Sequence, residues 1–448
     1  DLTPGTRLPA SRQLAKRNQV ARVTVTQAYE QLQAEGFVES RVGAGTFVGQ
    51  DLHLICKRPD AMFRQVLSDW GDRVLKSPPE VERPLPRPAI DFGFGRSFPH
   101  IFPYDIWRRL LARYLSTDDV MLSRYGSVAG FYPLRQALAD YLEKLRGVHC
   151  QPEQIVIVNG AQQALDILAR LLLSPRDNVL VETPGYATAF RLFQTHGASV
   201  VGIPVDDRGA AVKNIPSVNK PRLLFVTPSN QFPSGGTMPL ARRLDLLRWA
   251  RQQDVLIVED DYDGELRYDG HPLAALQGLD VDGRVVYLGA FSKVLFPALR
   301  LSYIVLPQVM VDPFVQAKSL VDRGAPTLTQ AAVADFISEG HFERHLRQLR
   351  HAYGRRRQVL VDALQTHLPQ LACCSDVAAG LHIMLTLPPH FDEAQVVQQA
   401  AEAGVGVYPG APYHLVQPAP PSILLGFSGL TELEIEEGIR RLATVLVD

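Results

Sequence analysis

Cysteine is scarce in this sequence, and the few that occur are not spaced as a metal site or a disulfide framework. Four cysteines stand among 448 residues, with neither a CxxC pair nor Cys/His ligand spacing. We therefore expect reduced thiols, no metal site and a cytoplasmic location.

The sequence also lacks an excess of charge of either sign and a long hydrophobic run. Its formal net charge is −1, so a uniformly basic chain is excluded and any contact with nucleic acid must be local. No apolar run approaches the roughly 20 residues that span a bilayer, so we expect no membrane partner. With 46% apolar and 21% charged residues, the composition is that of a globular protein, and the length predicts two or three domains.

Composition changes near residue 50 and again near residue 90, which divides the chain into three predicted parts. Residues 1–48 combine two short helices with a Gly-rich hairpin. Residues 49–88 end in a proline run that can hold neither a helix nor a central strand, which predicts an exposed linker. From 89 to 448, strands that are apolar on both faces alternate with helices, as in an α/β domain with a parallel sheet. Long helices over 342–364 and 433–445 with short strands predict a smaller C-terminal α+β lobe.

The N-terminal part has the pattern of a helix-turn-helix with a wing. A short helix begins at Ala10, a second runs from Arg22 to Ala34, and two strands flank a Gly-containing tip at 41–45. The start of the second helix is where such a domain meets base edges, and the first helix and wing meet phosphates. The residues predicted to contact DNA are Arg12, Arg22, Thr24, Thr26, Arg41 and Gly43. The alternative from pattern alone is a small helical adaptor with solvated charges.

Four segments at predicted strand ends suggest a phosphate-bearing aldehyde cofactor. Lys293 follows an apolar strand and could form a Schiff base, while Ser292 and Arg300 could hold a phosphate. Asp260 follows another strand, where a carboxylate could keep a pyridine nitrogen protonated. The backbone N–H groups of Ala161 and Gln162, just before a helix predicted over 164–173, could bind the phosphate. Tyr186 could stack on the cofactor ring, and Tyr262 could form a hydrogen bond with its phenolic oxygen.

Residues 4–48 resemble the winged helix of GntR-type bacterial repressors. The segments LPASRQLA and TVTQAYEQLQAEGF, with SRVGAGTFV after them, are most similar to the MocR/GabR branch. In that family a helix precedes the Pro-Gly turn, whereas here the chain begins at the turn. We therefore expect the first helix of the winged domain to be missing from this chain.

Residues 89–448 resemble fold-type I pyridoxal-phosphate aminotransferases. The resemblance implies that Lys293 is the internal-aldimine lysine, Asp260 the pyridine-nitrogen partner, Tyr262 the O3′ partner and Tyr186 the stacking residue. It also implies that the phosphate is held by Ala161, Gln162, Ser292 and Arg300, and by Tyr125 from the other subunit of a homodimer. The segment 227–235 matches the loop on the substrate side, and its Asn230 is expected to contact the cofactor.

Three positions depart from the aminotransferase pattern. Phe232 stands where aminotransferases have asparagine before Pro-Thr-Gly, and Ala290 replaces a phosphate-side serine. Leu424 aligns with the arginine that clamps the substrate carboxylate, and leucine cannot form that charged pair. We therefore expect an intact cofactor apparatus with weakened recognition of amino acids.

These features predict a MocR-type transcriptional regulator that binds operator DNA, holds pyridoxal phosphate and senses a small molecule without being an enzyme. The ligand could be the cofactor itself or an amino compound. One alternative is an active aminotransferase with an accessory N-terminal domain. Another is a cofactor-binding interaction protein with no role at DNA. A dense basic helix over 344–357 is expected to be solvated or to face a dimer partner, with a secondary DNA-backbone contact as the alternative.

Overall fold

A computed structural model describes residues 2–50, 67–77, 88–96, 98, 100–115, 123–270, 273–373 and 378–446. The chain divides into two compact units, Asp1–Leu67 and Ser68–Asp448. Most of the segment predicted as a proline-rich linker lies outside the described residues.

The first unit is a winged helix-turn-helix, as predicted. Helix α1 (Ser11–Asn18) ends at Gln19, whose left-handed backbone turns the chain into α2 (Arg22–Ala34). Strands β1 (Val38–Arg41) and β2 (Gly45–Val48) form an antiparallel hairpin. The first residues pair with β2, because Leu8 N–H donates to Thr46 O at 2.8 Å. A small core closes the unit; its buried apolar residues are Ala15, Val25, Val38 and Val48.

The second unit is built on an eight-stranded sheet. Its strands are β4 (Ile155–Val158), β5 (Asn178–Thr183), β6 (Ser199–Asp206), β7 (Gly209–Ala210), β8 (Pro221–Val226), β9 (Leu256–Asp261), β10 (Val285–Ala290) and β11 (Ser302–Val305), in the order β4-β11-β10-β9-β8-β5-β6-β7. The stretch from β10 through β9, β8 and β5 to β6 is parallel. Side chains on both faces of these strands are buried, which explains their continuous apolar sequence.

The predicted parallel arrangement is confirmed for the central strands, and β11 and β7 add antiparallel pairings on either side of them. Strand β11 runs antiparallel to both β10 and β4, and β7 runs antiparallel to β6. Residues 291–301, which join β10 to β11, include no crossover α-helix. A parallel return needs such a crossover, so the chain reverses direction instead.

Helices cover the sheet and build the smaller lobe. They are α3 (Asp69–Lys76), α4 (Tyr104–Leu115), α5 (Tyr132–Arg146), α6 (Ala161–Leu172), α7 (Ala187–Thr195), α8 (Leu240–Gln253), α9 (Gln308–Val321), α10 (Thr327–Ser338), α11 (His341–His367), α12 (Glu393–Glu402) and α13 (Glu432–Leu446). Helix α3 lies within the predicted linker and is held to α7, because Arg73 Nε donates to Thr195 O at 2.7 Å. Helix α6 begins at Ala161, three residues before the predicted start.

The smaller lobe contains a four-stranded antiparallel sheet, as the pattern of long helices and short strands predicted. Its strands, in the order β12-β13-β16-β15, are β12 (Ala372–Cys373), β13 (His382–Thr386), β15 (Tyr408–Pro409) and β16 (Ser422–Gly426). A separate parallel pair joins β3 (Ile90–Asp91) to β14 (Val405–Gly406). Helices α11 and α13 pack against each other through buried residues such as Leu360 and Ile439.

Candidate cofactor site

The loops that follow the parallel strands, together with the start of the smaller lobe, enclose a cavity. Carboxyl ends of parallel strands share one edge of a sheet, which is where ligands bind in α/β folds. The empty volume of the cavity, including the solvent-filled space at its open mouth, is about 970 Å³. Its lining residues are Phe94, Gly95, Gly160, Ala161, Gln162, Tyr186, Thr227, Phe232, Asp260, Tyr262, Ala290, Ser292, Lys293, Arg300, Leu301, Ser302, Leu381 and His382.

One end of the cavity is suited to a phosphate. Ala161 and Gln162 are the first residues of α6, where backbone N–H groups have no partner within the helix. Gly160 precedes them with φ of 104°, and a Cβ there would lie 2.8 Å from an Nη of Arg300. Only glycine therefore leaves the guanidinium this close to the helix start. Ser292 lines the same cavity, so helix dipole, cation and hydroxyl together fit an anion.

Strand β9 presents one of its three consecutive carboxylates to the cavity. Side chains alternate along a strand, so Glu259 and Asp261 point away from the face on which Asp260 lies. Glu259 accepts hydrogen bonds from the backbone N–H groups of Leu276 and Gln277. Asp261 is bound by Arg146 at 2.6 Å and accepts a hydrogen bond from the Tyr287 hydroxyl, also at 2.6 Å. Both oxygens of Glu259 are thus bonded within the protein, and Asp261 is held through its Oδ2 alone, with its Oδ1 unpartnered.

Asp260 is buried, yet its Oδ1 has no hydrogen-bond partner. Burial, together with the negative charge of Asp261, raises the pKa of the Asp260 carboxyl to about 7, against the opposing effect of the Lys293 charge. A buried polar atom without a partner costs free energy, so this oxygen is suited to a ligand donor. A protonated ring nitrogen of the cofactor fits that requirement.

Two tyrosines on the cavity wall are held by amide side chains. Gln162 Nε2 donates to the Tyr186 hydroxyl at 3.1 Å. Asn230 Nδ2 donates to the Tyr262 hydroxyl at 3.1 Å and to Asp263 at 2.8 Å. Asn230 is not among the residues that line the cavity, and its amide lies beside the Tyr262 hydroxyl.

Several cavity residues were not predicted from the sequence. Phe94 and Gly95 come from the start of the second unit, and Leu381 and His382 come from the smaller lobe. A Cβ on Gly95 would lie 2.8 Å from Lys293 Nζ, and Gly95 has φ of 77°. These segments carry no local motif, although an isolated Gly-Phe-Gly before the first helix of the domain was a readable signal of close backbone approach.

The residues predicted to contact DNA are distributed over the winged unit. Arg12 is exposed on α1, and Arg22 and Thr24 are exposed at the start of α2. Thr26 is half-buried, and its hydroxyl donates to Arg22 O at 3.0 Å. Arg22 Nε lies 3.4 Å from Ser11 Oγ, which leaves the rest of its guanidinium available.

The wing places its two predicted residues differently. Gly43 is exposed at the tip with φ of 75°, a backbone conformation that favours glycine. The Arg41 guanidinium lies over the Phe47 ring at 5.1 Å and 3.8 Å from Glu39. Arg41 therefore has intramolecular contacts that a phosphate would have to compete with.

Comparison with known proteins agrees with both units. The gntR family of bacterial regulatory proteins matches residues 1–48, and aminotransferase class I and II matches residues 101–442. The probable rhizopine catabolism regulatory protein MocR of Rhizobium meliloti is 37% identical across all of this chain and 90% of its own length. The HTH-type transcriptional regulator YdeL of Bacillus subtilis is 36% identical over 98% of this chain and 91% of its own.

The chain belongs to the MocR branch of the GntR-type transcriptional regulators. Its second unit has the fold of pyridoxal-phosphate aminotransferases. The kynurenine aminotransferase of Pyrococcus horikoshii, solved with PMP, superposes with a TM-score of 0.76 at 30% identity, over 86% of this chain and 95% of its own. The α-aminoadipate aminotransferase LysN of Thermus thermophilus, solved with a phosphopyridoxyl-leucine adduct, gives 0.74 at 30% identity, over 80% and 92%.

Besides Asn230, two residues singled out by the resemblance do not line the cavity of this MocR-type chain. Tyr125 is 83% exposed, with the Arg323 guanidinium 4.8 Å over its ring. Leu424 is fully buried in β16 beside Met384 and Tyr408. The position of the aminotransferase carboxylate clamp is therefore part of an apolar cluster.

Several arginines of the basic helix α11 form hydrogen bonds or ion pairs within the second unit. Arg350 donates to Glu265 O at 2.7 Å, Arg355 pairs with Glu432 at 2.8 Å, and Arg356 donates to Ser428 O at 3.1 Å. These contacts favour a structural role over a contact with the DNA backbone. Within the described part of the chain, no helix is long and apolar enough to cross a membrane, and no group of three or more acidic, His or Cys side chains is placed to hold a metal.

Proposed function

We propose that this MocR-type regulator binds pyridoxal phosphate in the second unit and that a small molecule at this site alters operator binding by the winged unit. The observation that carries the proposal is the single cavity in which Lys293, the unpartnered Asp260 oxygen and the cradle of Gly160 and Arg300 meet. When bound, pyridoxal phosphate supplies an aldehyde that captures amines and a ring that withdraws electrons.

Each residue of the cavity would have a distinct task towards the cofactor. Lys293 would attach it through Nζ, and Asp260 would keep a proton on the ring nitrogen. The N–H groups that open α6, with Ser292 and Arg300, would hold the phosphate. Tyr186 would stack on the ring and Tyr262 would donate to its phenolic oxygen. Asn230 would orient Tyr262 through the hydrogen bond of 3.1 Å.

The regulator would act as a homodimer. Tyr125 lies outside its own cavity and is exposed, which suits a residue that reaches the phosphate site of a partner. A two-fold dimer would also bring two winged units to one DNA, so the operator would contain two half-sites.

Steady catalysis is not expected of this site. Leu424 offers no charge where an aminotransferase clamps the substrate carboxylate. The second candidate function, an active aminotransferase, is favoured by the presence of Lys293 and Asp260 in one cavity. Turnover of amino acids with 2-oxoglutarate as acceptor distinguishes the two.

The proposal is tested by sequencing genomic fragments that the immobilised full chain retains as salt is raised. Fragments sharing a motif of two half-sites are the expected result; retention of unrelated sequences alone would overturn the role as an operator-binding regulator. Two arginines provide a matched pair on the recovered operator. Arg22→Ala should cost about 1–3 kcal/mol on the operator and less on scrambled DNA. Arg12→Ala should weaken binding to both duplexes equally. It should also reduce the slope of log affinity against log salt concentration by about one.

A further inference from the structure

Aromatic rings wall the cavity beside Lys293. Phe94, Phe232 and His382 all line it, and their ring centroids lie 5.3–5.8 Å from one another. Phe232 also lies 5.7 Å from Tyr262 and 5.2 Å from Tyr413. The close approach of the Gly95 backbone to Lys293 Nζ brings the Phe94 segment next to the reactive nitrogen. A molecule attached near Lys293 would therefore meet this ring wall.

His382 adds no positive charge to the wall. Its Nε2 lies 3.0 Å from Pro233 O, which can only accept, so Nε2 carries the hydrogen. Burial, helped by the charge of Lys293, lowers the pKa of His382 to about 4 despite the opposing hydrogen bond to Pro233 O. At neutral pH the ring is uncharged and its Nδ1 is an acceptor, which repels a carboxylate.

The positively charged residues near the aromatic wall are engaged elsewhere, either with the proposed cofactor or in an ion pair. Among the described cavity residues, the cations are Lys293 and Arg300, which the cofactor would use. Arg96, two residues after Phe94, forms an ion pair with the buried Asp91. Leu424 packs against Met384 and Tyr408. A carboxylate placed here would be desolvated without a counter-charge.

We propose that the ligand of this site is a primary amine with an apolar, preferably aromatic, group and no carboxylate, a class typified by arylalkylamines. The amine requirement rests on the proposed function, because the cofactor aldehyde captures primary amines. The ring wall supplies edge-to-face contacts for an aromatic group. The missing clamp removes the interaction that would favour the parent amino acid.

The test compares 2-phenylethylamine with L-phenylalanine, which differs from it by the carboxylate alone. Isothermal titration of the cofactor-loaded full chain should show 2-phenylethylamine binding at least about 30-fold more tightly, as expected from one uncompensated charge. Equal or tighter binding of L-phenylalanine would overturn the inference. Borohydride trapping of cofactor on Lys293 is measured first. If none is trapped, the proposed function fails and the inference fails with it; trapping with a preference for L-phenylalanine contradicts the inference alone.

A pair of variants at the clamp position tests the cause of the preference. Leu424→Arg should shift the preference towards L-phenylalanine, because it places a cation at the aminotransferase clamp position. Leu424→Met changes shape little and adds no charge, so it should keep the preference of the parent. A shift of the same size in both variants would contradict the electrostatic argument. Because a buried arginine can prevent folding, the comparison in the parent protein remains decisive.

Discussion

Replacing Asp260 by asparagine should stabilise the cofactor-free second unit at neutral and alkaline pH. Its carboxyl has a pKa of about 7 when folded, against 3.8 when unfolded. Between these values the folded chain binds the additional proton, so stability falls as pH rises, and the full penalty is present above pH 7. A shift of about 3 units corresponds to about 4 kcal/mol, an upper bound because the cavity is open to solvent, which screens the charge. We expect Asp260→Asn to add about 1–4 kcal/mol at pH 8 and less at pH 5.

Urea unfolding of the cofactor-free protein at pH 8 and pH 5 measures this effect. Tryptophan fluorescence reports the second unit, because the three tryptophans of the chain, Trp70, Trp107 and Trp249, all lie in it. Asp261→Asn is the matched control on the opposite face of the same strand. It leaves the buried Arg146 without its counter-charge and should cost about 3–5 kcal/mol.

Asp260→Asn should also weaken the binding of pyridoxal phosphate. Losing the charged partner of the ring nitrogen costs about 2–3 kcal/mol, or roughly 30- to 150-fold in affinity. Stability at pH 8 no greater than that of the parent would refute the unpartnered state of the carboxylate. Unchanged cofactor affinity would refute its contact with the ring.

Three further outcomes are expected. Lys293→Ala should abolish borohydride-trappable cofactor, whereas the exposed control Lys213→Ala should retain it; a remaining adduct in Lys293→Ala would assign another lysine. Turnover of common amino acids should be roughly 30- to 1000-fold below the median enzyme rate of about 10 per second, because Leu424 cannot bind the carboxylate; a rate near the median would favour the aminotransferase. Sedimentation should show a homodimer, and a stable cofactor-loaded monomer at micromolar concentration would count against the role given to Tyr125.

Local patterns in the sequence were enough to predict residues at or just beyond the carboxyl ends of the buried strands. Lys293, Asp260 and Tyr186 follow runs of apolar residues, and the parallel arrangement of those runs brings their carboxyl ends to one edge. The structure places all three in one cavity. The winged unit was equally readable, because α2 and the Gly-tipped hairpin are short-range features.

Contacts between distant parts of the chain were not readable. His382 reaches the cavity from β13 with no functional pattern around it, and Phe94 reaches it from the segment after β3, where two flanking glycines are the sole local signal. The direction of β11 depends on the short connection after β10 rather than on its own apolar residues. Asn230 was expected at the cofactor, but its amide is directed to Tyr262 and Asp263, a pairing that only the folded loop defines.

In the proposed function, the cavity around Lys293 controls DNA binding by the winged unit. The most direct measurement is the affinity of the full chain for its recovered operator and for a scrambled duplex, with and without pyridoxal phosphate. We expect operator affinity to change by roughly 5- to 150-fold on cofactor loading, the range of typical allosteric couplings. The change should disappear in Lys293→Ala. Equal operator affinity of the cofactor-loaded and cofactor-free protein would contradict this coupling between the cavity and DNA binding.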